Sequence, residues 1–591
     1  MPARRPVFFA VALAALAGGL AGQLTAANAQ APTLLRDVRT GYDLLGSQAQ
    51  PATPSDYIQP DTQIEPSIDV NPNNQINAIA VYQEGRVDVG GDATNGYATT
   101  FDAGRSWVYG EVPGLTSYPG QTGPFDRASD AVVAFGPSND AYYSSLVFDD
   151  TTGNALRSGM AINVSKNGGA TWSQPVFFAD DQLAGLNDKN WVVVDQSNAA
   201  GHHQGRVYVV WDRVAAVFYD YCDSGCDSLS GWAFGGTFQK LVLPSAYTGQ
   251  AIGATPLVLN DGSLAVIFDS AAGGVPVSTN EQAIVNTSTS RLTSVVAPLA
   301  GTQPFGTPLV FEPPVYIANN GSVQPRSQRA ASLPGAAYDR KTGTIYVSWE
   351  DARNHTEATP ENDAFVSSST DGGLTWSTPT QVNPSSPTDH IDRYNVSVST
   401  GADGVVHVAY RQRQEADDPA KFSVAIDTMY QESSDGGKTW TAPLRVNLVA
   451  DDARYGAFSR LGTFQGDYNG IATSGAYTYV VRAESYPTTP GEPVALTLAP
   501  TSGQPDQMAL TGKGHTHQQV WVAVLGPRTA TVAPTPETSA GQPGEGPAVG
   551  LANTGAVAGA GRGALGGAAG VLLALGIVAA RARRRPRRLA D

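Results

Sequence analysis

Charged and phenolic side chains in this chain gather at the ends of short apolar runs. Thr344 to Trp349 reads as a strand, so Glu350, Asp351 and Arg353 leave a strand end, where loop residues can reach a central funnel. A carboxyl there suits proton transfer, and Glu350 is a candidate catalytic group. Arg353, Arg393, Arg411 and Arg413 offer planar donor forks and are candidates for ligand contact. Tyr468, in Gly466-Asp467-Tyr468-Asn469-Gly470, places a phenol on a late strand. The spacing of His515-x-His517 puts two imidazoles on one face of a strand, a pair more often solvated than ligating. The seven scattered histidines give no metal spacing, and no metal or cofactor is expected. Cys222 and Cys226 are the only cysteines; a small loop-closing disulfide is the expectation, with a metal pair or free thiols as alternatives.

The elements that position these residues repeat. Four segments share one pattern: Thr100-Phe-Asp102-Ala-Gly104-Arg-Ser106-Trp107, Ser165-Lys-Asn167-Gly-Gly169-Ala-Thr171-Trp172, Ser369-Thr-Asp371-Gly-Gly373-Leu-Thr375-Trp376 and Ser433-Ser-Asp435-Gly-Gly437-Lys-Thr439-Trp440. An Asp or Asn oxygen can accept from nearby backbone N–H groups, Gly supplies a positive φ, and Trp can lock the turn onto a neighbouring sheet. The Asp or Asn positions lie 65 residues apart in the first pair and 64 in the last; the gap of 204 between the pairs is three periods of 68. Two further units with degenerate turns are therefore expected between them.

About 36 residues before each turn an apolar strand begins: Ile64 to Val70, Ser129 to Phe135, Leu333 to Asp339 and Tyr394 to Thr400. Similar strands without the turn occur at Asn190 to Asp195, Thr255 to Asn260 and Gly466 to Ala472. Paired β runs with a period in the sixties, few helical patterns and 64 glycines predict an all-β propeller over residues 61–526. The repeat count gives seven blades, with six, or a smaller propeller plus a sandwich, as alternatives. Residues 30–60 read as an N-terminal extension.

The four turns match the Asp-box (BNR) repeat, and residues 60 to 525 resemble the sialidase superfamily. In that family the box is structural, so its Asp residues carry no catalysis. The resemblance implies that Arg86, ending Tyr82-Gln83-Glu84-Gly85-Arg86, faces the ligand, that Asp92 is the acid/base, and that Tyr468 is the nucleophile. It places Glu65-Pro66 where the family carries Arg-Ile-Pro. A carboxylate at that place repels the carboxylate of sialic acid, which the family's arginine clamps. The expected function is thus a sialidase-like glycoside hydrolase acting on glycans. The alternative is a non-catalytic adhesive propeller that binds a glycan or protein on the cell surface.

The termini predict export. Arg4 and Arg5, an apolar run from Val7 to Leu20 and Ala27-Asn28-Ala29 make residues 1–29 a signal peptide; the arginine pair also hints at twin-arginine export. A Pro/Thr/Gly-rich stalk at 527–550 leads to Leu551-Ala552-Asn553-Thr554-Gly555, an uncharged run from Ala564 to Ala580 and an arginine cluster. Motif, span and basic end resemble a sortase sorting signal, which implies cleavage between Thr554 and Gly555 and linkage to peptidoglycan. A retained C-terminal transmembrane helix is the alternative. Without residues 1–29 and 555–591 the body carries 28 basic and 52 acidic residues, a net of −24. That field repels nucleic acid, which is not expected as a partner.

Overall fold

The computed structural model describes residues 32–45, 58–59, 61–87, 90–118, 120–149, 157–181, 187–213, 216–235, 239–241, 250–271, 290–318, 328–329, 333–355, 361–384, 389–414, 425–449, 451–459, 462–501, 504–510 and 515–526. The segments read from sequence as signal peptide and stalk, together with Thr554, Gly555 and the apolar tail, lie outside the described residues. Among the described residues no helix is long and apolar enough to cross a membrane.

Strands rich in Val, Ile, Tyr and Ala alternate with Gly-containing turns, and each set of strands closes antiparallel on its neighbour in sequence. The first sheet comprises Gln63–Val70, Ala78–Arg86, Asp92–Thr100 and Val108–Glu111, and the second begins at Arg127–Phe135. A single pairing, Asp92 with Ala128, joins these two sheets. The third, fourth, fifth and sixth sheets begin at Asn187–Val194, Gln250–Val258, Gly335–Asp339 and Ile391–Thr400. The last runs from Gly470–Ser474 through Tyr477–Ser485 and Gln518–Gly526 to Thr33–Arg39. Each first strand packs beside the first strand of the next sheet, and Gly470–Ser474 packs back against Gln63–Val70. The sheets therefore surround one axis, and the chain is an all-β propeller. Among the described residues helix is limited to the single turns Leu229–Gly231 and Ala453–Tyr455.

Within residues 30–60, read from sequence as an extension, Thr33–Arg39 forms the closing strand. Thr33–Arg39 pairs with Gln518–Gly526, the last strand of the domain. Here Arg482 is fully buried between Asp37 and Glu484, with both contacts at 2.6 Å. Removing one member would strand a buried charge, so this triad makes docking of the N-terminal strand specific.

The four repeated turns join third to fourth strands and staple each sheet to the one before it. In the second sheet Ser165 Oγ accepts from Gly169 N (2.9 Å), and Asn167 Oδ1 accepts from Thr171 N (2.9 Å). Across to the first sheet, Thr99 Oγ1 donates to Gly169 O (2.8 Å), and Trp172 meets Tyr97 edge-on at 5.9 Å. The same bonds recur around Asp102, Asp371 and Asp435. Partial burial raises these three carboxyls, but the hydroxyl and backbone donors of the turn outweigh it and hold them below the ordinary range.

The third sheet solves the same problem covalently. Its third strand, Ala216–Cys222, ends where its counterparts end in Thr100 or Ser165, and Cys222 is joined by a disulfide to Cys226. The bridge spans positions i and i+4, as the hydroxyl-to-glycine bond does in the other turns. Trp232 then takes the tryptophan's place, stacked on Phe178 of the second sheet at 4.9 Å.

Gly169 has φ of +88° and a Cβ there would stand 2.5 Å from Ile79 Cδ1. Gly169→Ala is expected to cost about 2 kcal/mol or more through strain and overpacking, measured by denaturant unfolding. Stability is also expected to fall as pH rises. Burial pushes Asp69 up to about 6 and Asp220 up to about 7, so between about pH 4 and 7 the folded state holds protons that the unfolded state has released. His517 acts in the same direction: burial lowers it, but its bonds to Asp61 and Glu492 prevail and raise it. Melting temperature should therefore be higher near pH 5 than at pH 8, with a smaller difference in Asp69→Asn.

Candidate functional site

Register fixes which residues share a face. Gln63 lies opposite Glu84, Asn187 opposite Arg213 and Ile391 opposite Gln414, so first-strand starts and second-strand ends form one face of the ring. The stapling turns close third strands and lie on the other face. All the candidate residues fall on the first face, yet they do not meet at one point.

Arg86 and Asp92 are both buried, 3.7 Å apart, and the Arg86 guanidinium stacks over Phe464 at 4.7 Å. Glu350 is buried within Thr344–Asp351. Arg353 pairs with Asp351 at 2.6 Å and lies over the Phe365 ring. Arg393 bridges Asp363 (3.1 Å) and Asp389 (2.9 Å). Arg411 donates to Asp451 (2.8 Å) and Gln465 (2.6 Å), and Arg413 is buried opposite Asp392. Arg86, Arg353, Arg393 and Arg411 are thus each held by a different carboxylate, and among the described residues no arginine lines the axial pocket.

His517 is not merely solvated. Its Nδ1 is 2.7 Å from Asp61 and its Nε2 2.6 Å from Glu492, clasping the chain on either side of the last strand. Among the described residues no group of three or more His, Cys, Asp or Glu is arranged to hold a metal ion.

Tyr468 does reach the axis. A pocket of about 670 Å³, part of it open to solvent, is lined by Lys189, Trp191, Asn395, Asp467, Tyr468 and Asn469 together with small and apolar residues of the inner strands and their flanks. The Tyr468 ring receives the Lys189 ammonium at 3.6 Å and meets Trp191 edge-on at 6.2 Å. Burial, then the negative charges of Glu65 and Asp130, push the phenol well above its ordinary value. Glu65 adopts φ of +50°; its carboxylate accepts from Asp467 N at 3.0 Å and from the Gln83 amide. The residue that departs from the family pattern thus stands beside the phenol.

Lys189 and Trp191 were missed in the sequence because neither belongs to a motif. The available signal was positional: Asn187-Asp188-Lys189-Asn190-Trp191 opens an inner strand as Gln63-Ile64-Glu65 does.

No family model matches this chain, and no curated protein matches it. Among solved structures it is similar to the NanB sialidase of Streptococcus pneumoniae, at 10% identity and a TM-score of 0.39, covering 61% of this chain and 66% of that one. The intramolecular trans-sialidase of Ruminococcus gnavus gives 12% identity, coverage of 62% and 94%, and a TM-score of 0.39. The alpha-L-arabinanase of Penicillium chrysogenum gives 11%, coverage of 84% and 99%, and 0.38. The chain thus spans just under two thirds of the pneumococcal enzyme. These scores carry no argument about this chain, whose propeller is read from its own ring of sheets.

Arg393→Met should leave the buried Asp363 short of a partner and destabilise the fold by about 3 kcal/mol. Chemical unfolding measures this; an unchanged midpoint would show that the arginine is free for ligand.

Proposed function

We propose that this is an exported, surface-anchored, seven-bladed Asp-box propeller that acts on glycans as a sialidase-like glycoside hydrolase through its axial pocket. One observation carries the reading: two aromatic rings, Trp191 and Tyr468, converge with polar side chains in a single pocket on the axis. Such a site can stack a sugar ring and hydrogen-bond its hydroxyls. In this reading Tyr468 attacks the anomeric carbon, and Glu65 takes the phenolic proton. Asp92 and Glu350, the sequence candidates for protonating the leaving oxygen, lie outside the pocket lining, and Arg86, Arg353 and Arg393 order the face around it. In this reading a sortase cleaves between Thr554 and Gly555 and links the stalk to the cell wall.

A second reading, glycan binding without turnover, is favoured by the burial of Asp92 and Glu350. Activated aryl glycosides of sialic acid and of neutral sugars separate the two. Hydrolysis that falls at least a thousandfold in Tyr468→Phe supports the hydrolase. Saturable glycan binding with no turnover supports the adhesive propeller, and absence of both refutes the proposal.

A further inference from the structure

Five inner strands break register at the same height. The slips fall between Ile64 and Ser67, Ser129 and Val132, Asp188 and Asn190, Ile252 and Thr255, and Tyr394 and Ser397. The first extra residue at each is Glu65, Asp130, Lys189, Gly253 or Asn395. Glu65, Asp130 and Asn395 are held at φ of 50°, 47° and 51°, a left-handed conformation that L side chains rarely adopt. Bulges re-aim side chains, and strained backbone of this kind persists where the surroundings enforce it, often at binding sites. Here one structural position, repeated in five sheets, carries two carboxylates, an amine, a glycine and an amide. Lys189, Gly253 and Asn395 line the pocket, and Asp130 stands 3.9 Å from Lys189 Nζ.

A second observation is independent of the bulges. Three side-chain atoms in the pocket wall are buried without a hydrogen-bond partner: Lys189 Nζ, Asn395 Oδ1 and Asn469 Nδ2. The Tyr468 hydroxyl approaches Gln83 without closing a bond to it. The Lys189 side chain is only 5% exposed. Buried polar atoms of this kind are few in folded proteins and call for a partner. The set contains two donors, one acceptor and a hydroxyl that serves as either.

Charge then discriminates among ligands. An anionic group entering the pocket meets one ammonium against Glu65, Asp130, Asp188 and Asp212, which all act on Lys189. It would also leave Asn395 Oδ1 unmet. A cationic group offers only donors and is repelled by Lys189. Burial lowers the Lys189 amine despite those four acids, so the site already resists further charge of either sign. An uncharged group with several hydroxyls satisfies donors and acceptor together.

We infer that the bulge layer is the ligand-reading ring of the axial pocket, that it selects an uncharged, hydroxyl-rich sugar residue, and that Lys189 is its specificity-determining donor. This rests on the glycan reading above and narrows it.

The test titrates the full-length protein with oligosaccharides ending in galactose or arabinose, in sialic acid or a uronic acid, and in glucosamine. Wild type should bind a neutral terminus saturably and the charged ones at least tenfold more weakly. Lys189→Met and Asn395→Leu should each weaken neutral binding by roughly tenfold, with melting temperature recorded alongside. Lys189→Met should in addition gain affinity for the glucosamine terminus, because the rings and acids around Tyr468 would then face an ammonium with no resident cation. A merely structural lysine would not move that preference. Tighter binding of the sialic or uronic acid terminus, or unchanged affinities in both variants, would overturn the inference while leaving glycan recognition standing. No saturable binding to any terminus would remove both.

Discussion

The ring of sheets is fastened by pairing strands from the two ends of the domain within its last sheet. Here Thr33–Arg39 lies against Gln518–Gly526, and the junction is keyed by Arg482 between Asp37 and Glu484. A buried ion triad adds little net stability over apolar packing, but it tolerates few misplacements. Everything on the axis depends on that closure. The inner strands enclose a pocket of fixed width only while Gly470–Ser474 stays beside Gln63–Val70.

The parts of the fold legible in the sequence are those where a local hydrogen-bond pattern restricts residue type. Asp102, Asn167, Asp371 and Asp435 each gather donors within five residues of chain, so their turns can be read without knowing what they touch. The closing strand was not legible. Thr33–Arg39 has no partner nearby in sequence, and its role is set by strands almost five hundred residues away.

The candidate site divides along the same line. Tyr468 was found because resemblance pointed to a phenol late in the chain, and Glu65 because it replaced an expected arginine. The arginines are ambiguous for a physical reason: a guanidinium at a strand end looks the same in sequence whether it faces a ligand or a neighbouring carboxylate. Arg86, Arg353 and Arg393 each face a carboxylate. Lys189 was invisible because its importance comes from a one-residue slip that turns it toward the axis, and register slips leave no signature in composition.

The Cys222–Cys226 bridge stands where the other turns use a hydroxyl and a glycine. Hydrogen-bonded turns form wherever the chain folds, whereas this one forms only where an oxidant is at hand. The turn of the third sheet is therefore closed by a step that the other turns do not need. A chain folded under reducing conditions would keep the Trp232–Phe178 stack but lose the covalent tie that presents it, leaving a slack segment in an otherwise fastened rim.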